Sequence, residues 1–184
     1  MKPKSEPQYP LIDYLEKLVR DQDRGAMAAL RRGVGKAPGT AMEMHRYVAP
    51  FLPKNSFRRE EENYYVVAAL FAYWHQGETN VAAHPPDNLG ASLARLRTPD
   101  TGPSLDLRFT ALLKSHRDDL PTHLRQAVGL LKSKENVPVH WRNLYRDLRN
   151  WDSEDGWVQR AWAKSFWGRA TKTATESTTN DQND

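Results

Sequence analysis

The 184-residue chain contains no cysteine, which excludes disulfides, thiolate metal sites and thiol nucleophiles at the outset. No apolar run approaches the roughly 20 residues that span a bilayer, so no membrane partner is expected. Near the start, Lys2 and Lys4 are followed by Glu6, Asp13 and Glu16, which leaves no apolar stretch readable as a secretory signal and points to a cytoplasmic protein. Alternating Val, Ile and Thr are scarce, so nothing reads as a strand. Catalytic signatures are missing too. There is no Gly-x-x-x-x-Gly-Lys loop and no Gly-x-Ser-x-Gly turn. His45, His75, His84, His116, His123 and His140 include no pair at i, i+4 spacing for a metal. His116 beside Asp118 and Asp119 reads as a solvated turn, and Glu60-Glu61-Glu62 as a favourable helix start. Neither an enzyme nor a cofactor or metal is expected.

What is present is helical periodicity. The apolar share is 39% with six tryptophans, enough for a core despite 27% charged residues. Leu11, Tyr14, Leu15, Leu18 and Val19 share one face after Pro10, and a second short helix runs from Ala26 to Leu30 before Gly33. Met42 to Phe51 reads as another. From Ser56 to Gln76 the spacing predicts the longest helix of the chain, apolar on every side from Tyr64 to Trp74 and hence central, with Gly77 ending it. Gly77 to Asp87 reads as a loop, and a helix follows through Leu93 and Leu96. Ser104 to Leu113, Leu120 to Lys134, Val139 to Trp151 and Glu154 to Trp167 complete an all-α protein with a four-helix C-terminal bundle. Pro99 and Gly102-Pro103 mark the expected boundary. The resulting organisation is a flexible 1–10, a helical half over 11–98, a bundle over 104–167, and a Thr- and Ser-rich tail over 168–184 expected to be disordered.

Charge is distributed unevenly. The net charge is only +4, yet Ser104 to Trp151 holds nine Lys or Arg against five Asp or Glu. On a wheel, Arg142, Arg146 and Arg149 fall within about 60° of each other, facing away from Trp141, Leu144, Leu148 and Trp151. Removing that stripe should therefore leave the fold intact. Arg125 and Lys132 repeat the pattern on the preceding helix, and Lys114 and Arg117 lie opposite Phe109. Arg31 and Arg32 close an earlier helix, where they suit either the helix dipole or a phosphate. Guanidinium forks grip two phosphate oxygens at once, so the stripes suit a nucleic-acid backbone; a merely solvated basic face has the same pattern. Most tryptophans read as core. Trp167 lies off the stripe of Val158, Ala161, Trp162 and Phe166 and could meet a partner.

The order of these landmarks resembles the CasB family, the small subunit of the type I-E CRISPR complex Cascade. The resemblance covers about Leu11 to Trp167. It rests on Gly25-Ala26-Met27-Ala28-Ala29-Leu30-Arg31-Arg32-Gly33, on Asn88-Leu89-Gly90-Ala91-Ser92-Leu93, and on Leu124-Arg125-Gln126-Ala127-Val128-Gly129-Leu130-Leu131-Lys132-Ser133. It continues through Val139-His140-Trp141 and Asp147-Leu148-Arg149-Asn150-Trp151 to Val158-Gln159-Arg160-Ala161-Trp162. The chain departs from the family at Leu107, where a second arginine is usual, and at His140, where an acid is. The resemblance implies a two-part helical, non-catalytic subunit whose partners are guide RNA, target DNA, other Cascade subunits and a second copy of itself. It implies phosphate contacts that hold an R-loop open, most firmly by Arg31, Arg32, Arg125, Lys132, Arg142 and Arg146, and less so by Lys114, Arg117 and Arg149. Two other readings fit the residues: a free-standing helical DNA-binding regulator, which would need a base-reading helix, and a protein scaffold with acidic partners.

Overall fold

The computed structural model describes residues 9–178, except the side chains of residues 135 and 169–178. Every regular element among them is a helix, in agreement with the all-α reading. The chain divides into two compact units, Met1–Val81 and Ala82–Asp184.

In the first unit α1 (Pro10–Arg20) begins on a proline, whose missing N–H costs nothing in a first turn. Asp13 lies early and Lys17 and Arg20 late, each at the end where the helix dipole favours its charge. Leu11, Ile12, Leu15, Leu18 and Val19 form its buried face. The chain then turns through Gln22 at φ 55°, and the Asp23 carboxylate accepts from the Ala26 N–H at 2.9 Å to start α2 (Arg24–Arg31). The expected helix over Met42 to Phe51 is broken into a 3-10 turn at Met42–Met44, the single turn α3 (His45–Val48) and a 3-10 turn at Ala49–Phe51. Pro50 has no N–H with which to continue the ladder. The central helix is α4 (Arg58–Trp74), where Val67, Ala68, Phe71 and Ala72 are fully buried. A Cβ on Gly33, just after α2, would lie 2.2 Å from Met44 Sδ and 3.3 Å from Ala69 Cβ, so a larger residue there would have to displace the buried Met44 side chain. Gly77, at φ 88°, follows the end of α4 as its position suggested.

The second unit starts earlier than the Pro99 to Pro103 signal implied. Its first helix, α5 (Leu89–Ala94), lies wholly before that point. The proline and glycine instead shape an internal turn. Thr98 N–H donates to Thr101 Oγ1 at 2.9 Å, Thr101 Oγ1 donates to the Leu96 carbonyl at 2.8 Å, and α6 (Gly102–Lys114) starts directly afterwards. α7 (Leu120–Glu135) ends at Asn136 in the left-handed region, φ 52°, with the Val137 N–H returned to the Leu131 carbonyl. α8 (Trp141–Arg149) buries Trp141, Leu144, Tyr145, Asp147 and Leu148. α9 (Trp157–Thr178) runs past Trp167, where the disordered tail was expected to begin; residues 179–184 of that tail lie outside the described residues, as do residues 1–8.

The core of this unit is built on α9. Val158, Trp162 and Phe166 are all fully buried, and Phe166 stacks on Phe109 of α6 at 4.0 Å between ring centres. α5 meets α9 backbone to backbone: a Cβ on Gly90 would lie 2.2 Å from the Trp162 carbonyl oxygen and 2.8 Å from its carbon. Asn88 fixes the register by accepting from the Ala91 N–H at 3.0 Å and donating to Ser165 Oγ at 2.9 Å. Because the obstacle at Gly90 is main chain, it cannot rotate aside. Gly90→Ala should cost about 1–3 kcal/mol of stability or more, seen as a lower denaturant midpoint with little change in slope. A midpoint equal to that of the wild type would show that α5 and α9 separate at no cost.

Candidate nucleic-acid interface

The α8 stripe forms as the wheel implied, but its three arginines are not equivalent. Arg142 is half-buried and Arg149 exposed, its guanidinium 6.0 Å from the centre of the Tyr145 ring. Arg146 is tied down. Its Nε and Nη2 both donate to Asp147 Oδ1, at 3.0 and 2.8 Å, and its guanidinium lies 5.7 Å from the centre of the Trp157 ring. The other oxygen of Asp147, a residue only 1% exposed, accepts from the Trp162 indole N–H at 2.7 Å. Arg146 thus compensates a buried carboxylate while still reaching solvent, its side chain 44% exposed. Of the stripe, Arg146 is therefore the residue whose removal is expected to disturb the fold.

Arg117 departs further from its expected place. α6 stops at Lys114, so Arg117 belongs to the following turn and the wheel for α6 does not apply to it. Its side chain is 13% exposed, donates from Nη1 to the Leu148 carbonyl and stands 3.7 Å from Asp152. It completes the carbonyl end of α8, where a cation also suits the dipole. Lys114 and Arg125 are placed on α6 and α7, with Lys132 half-buried on α7. In the first unit Arg32 is exposed and paired with Glu43 at 3.0 Å, whereas Arg31 is half-buried beside a cavity. Two cations escaped the sequence reading. Arg108 and Lys134 are exposed and line a groove of about 370 Å³ with Leu105 and Leu130. Arg108 immediately precedes the buried Phe109, and a step of about 100° on the wheel already turns it away from that ring. Trp167 is half-buried, its ring edge-on to Phe109 at 5.3 Å.

His140 caps α8. Its Nδ1 accepts from the Asn143 N–H at 3.3 Å, which requires that nitrogen to be unprotonated. Burial holds the imidazole pKa below the ordinary histidine value, helped by the Arg142 and Arg146 charges and opposed by Asp87. A depressed folded-state value means that the contribution to stability is complete above about pH 6.5 and declines as pH falls from there towards the folded value. Nuclear magnetic resonance titration should place this imidazole below about pH 6.5, and His140→Asn should remove its part of the acid-side loss. A midpoint at or above that value would contradict the assignment.

Among the described residues no three His, Asp or Glu side chains gather as a metal site, and no helix is long and apolar enough to cross a membrane. A sequence model of the CRISPR-associated protein Cse2 family matches residues 26–167. The chain is 35% identical over 161 residues to a CRISPR-associated protein Cse2 of Thermus thermophilus, covering 85% of this chain and 88% of that protein. The crystal structure of M. ruber CasB superposes with a TM-score of 0.73 at 29% identity, covering 91% of this chain and 97% of that one. A chain of a CRISPR RNA-guided surveillance complex superposes with a TM-score of 0.71 at 31% identity, covering 91% and 95%. With the family model matched across both units and the relatives aligned over most of their length, this chain belongs to the CRISPR-associated Cse2 family, whose solved members include CasB.

Proposed function

We infer that the chain is a non-catalytic, nucleic-acid-binding subunit of a CRISPR RNA-guided surveillance complex, which steadies guide RNA and target DNA and holds the R-loop open. The carrying observation is the run of solvent-reaching cations on consecutive helices of the second unit: Lys114, Arg125, Lys132, Arg142, Arg146 and Arg149. The likeness to a chain of a CRISPR RNA-guided surveillance complex supports such a setting; on this reading other Cascade subunits and a second copy of this chain are the protein partners. Cations spread over several helices suit a backbone, since phosphate contacts position a strand without reading its sequence. A regulator reading the major groove would instead gather its polar side chains on one helix. Arg31 and Arg32 extend the proposed contacts into the first unit. Arg117 contributes by fixing the end of α8, not by touching phosphate.

Arg125→Ala with Arg149→Ala is the informative double substitution, because both side chains are exposed and neither holds the Asp147 carboxylate. Its log K against log salt for a single strand should be flatter by about 1.4, at about 0.7 per lost phosphate contact, with affinity nearly independent of base sequence. In the assembled complex, R-loop lifetime should shorten while guide-RNA loading is retained. Wild-type lifetime together with an unchanged salt slope would refute the reading, and loss of assembly in its place would favour a scaffold. Arg146→Ala should differ in kind by lowering the stability of the protein itself.

A further inference from the structure

The first unit contains a cavity of about 310 Å³ where α1, α2 and the end of α4 meet, at the lower end of the size range of small-molecule sites. Leu18, Val19 and Met27 supply buried apolar wall, and the buried His75 ring is held there by Nδ1 on the Phe71 carbonyl at 2.9 Å and by stacking on Phe71 at 4.0 Å. The rim is polar. Gln22, Gln76 and Thr79 are exposed around it, and Gln22 and Thr79 offer an amide and a hydroxyl. Arg24 and Arg31 also line the cavity, two turns or about 10 Å apart along the same side of α2, and neither guanidinium has an ion-pair partner among the described residues. Arg146, Arg117 and Arg32 differ in this respect, being held by Asp147, Asp152 and Glu43.

The ligand this arrangement suits is partly apolar, edged with hydrogen-bonding groups and flanked by negative charge, which a nucleobase between two phosphates provides. We propose that the cavity holds the base of one unpaired nucleotide, with the phosphates on either side of it on Arg24 and Arg31. Glu78, also on the lining, sets the orientation. Its negative charge disfavours a phosphate placed inside, so the base enters and the phosphates stay at the rim. Asp23 is already committed to capping α2. An unpaired base presents its face to apolar wall and its free edge to polar groups, the usual way single-stranded nucleic acid is gripped. The proposal rests on the nucleic-acid reading above and adds to it a pocket that distinguishes bases from backbone.

Thr79→Trp tests it, since an exposed rim residue can fill the cavity without disturbing the core or changing the charge. The full chain is titrated at low ionic strength with a short single-stranded oligonucleotide and with an abasic strand carrying the same phosphates. Thr79→Trp should lose about ten-fold in affinity for the base-bearing strand and nothing for the abasic one. Arg24→Ala with Arg31→Ala should weaken both and flatten the salt slope by about 1.4. If Thr79→Trp binds the base-bearing strand as the wild type does, or weakens both strands equally, the pocket assignment is overturned while the nucleic-acid reading stands. If the wild type binds neither strand, both are overturned.

Discussion

The second unit depends on the hydrogen bond from the Trp162 indole to Asp147. A carboxylate 1% exposed is tolerable only when its oxygens are occupied, and here one is taken by the indole and the other by Arg146. That bond fastens α8 to α9. The same tryptophan presents its main-chain carbonyl to Gly90, bringing α5 against α9, and meets the edge of Trp151 at 5.2 Å. Trp151 in turn donates from Nε1 to the Ser115 carbonyl at 3.3 Å, in the turn that follows α6. With no disulfide available, one buried polar contact set in aromatic packing joins elements distant in sequence. Hydrogen bonds to charged groups contribute about 1.5–3 kcal/mol, and an orphaned buried charge costs more.

The cations divide accordingly. Arg117 and Arg146 commit donors to the protein, the first to the end of α8 and the second to Asp147. Arg97 likewise stays inside, 3.3 Å from Asp106 and 5.0 Å from the centre of the Phe166 ring. Arg125, Arg108 and Lys134 extend outward. Basic composition alone therefore overstates the charge available to a ligand, and sorting arginines by their partners is the more useful census.

Much of this was legible in the sequence. The buried faces of α1, α4 and α8 follow from helical spacing, because a side chain near the core has little choice of direction once its helix is set. Errors arose where the chain leaves regular structure. The signal at Pro99 to Pro103 was real but belongs to a threonine-bridged turn inside the second unit, since turn chemistry is the same at a domain boundary and within a domain. Arg117 was misplaced because a wheel has no meaning beyond the last helical residue. The Arg146 to Asp147 pair was hidden for another reason: adjacent residues diverge on a wheel, yet an arginine is long enough to reach back. His140 shows the opposite case, in which a residue less usual as a cap than Ser, Thr, Asp or Asn still fills that role.

The clamp on Arg146 changes what kind of recognition that residue can perform. Two of its five N–H donors are fixed on Asp147 and the carboxylate offsets much of its charge, so only the remaining donors, aimed in set directions, face outward. An anion arriving there meets an oriented polar edge more than a free cation. Donors fixed in direction favour ligands by the angles at which their oxygens are displayed, a preference that electrolyte masks less than it masks a bare charge.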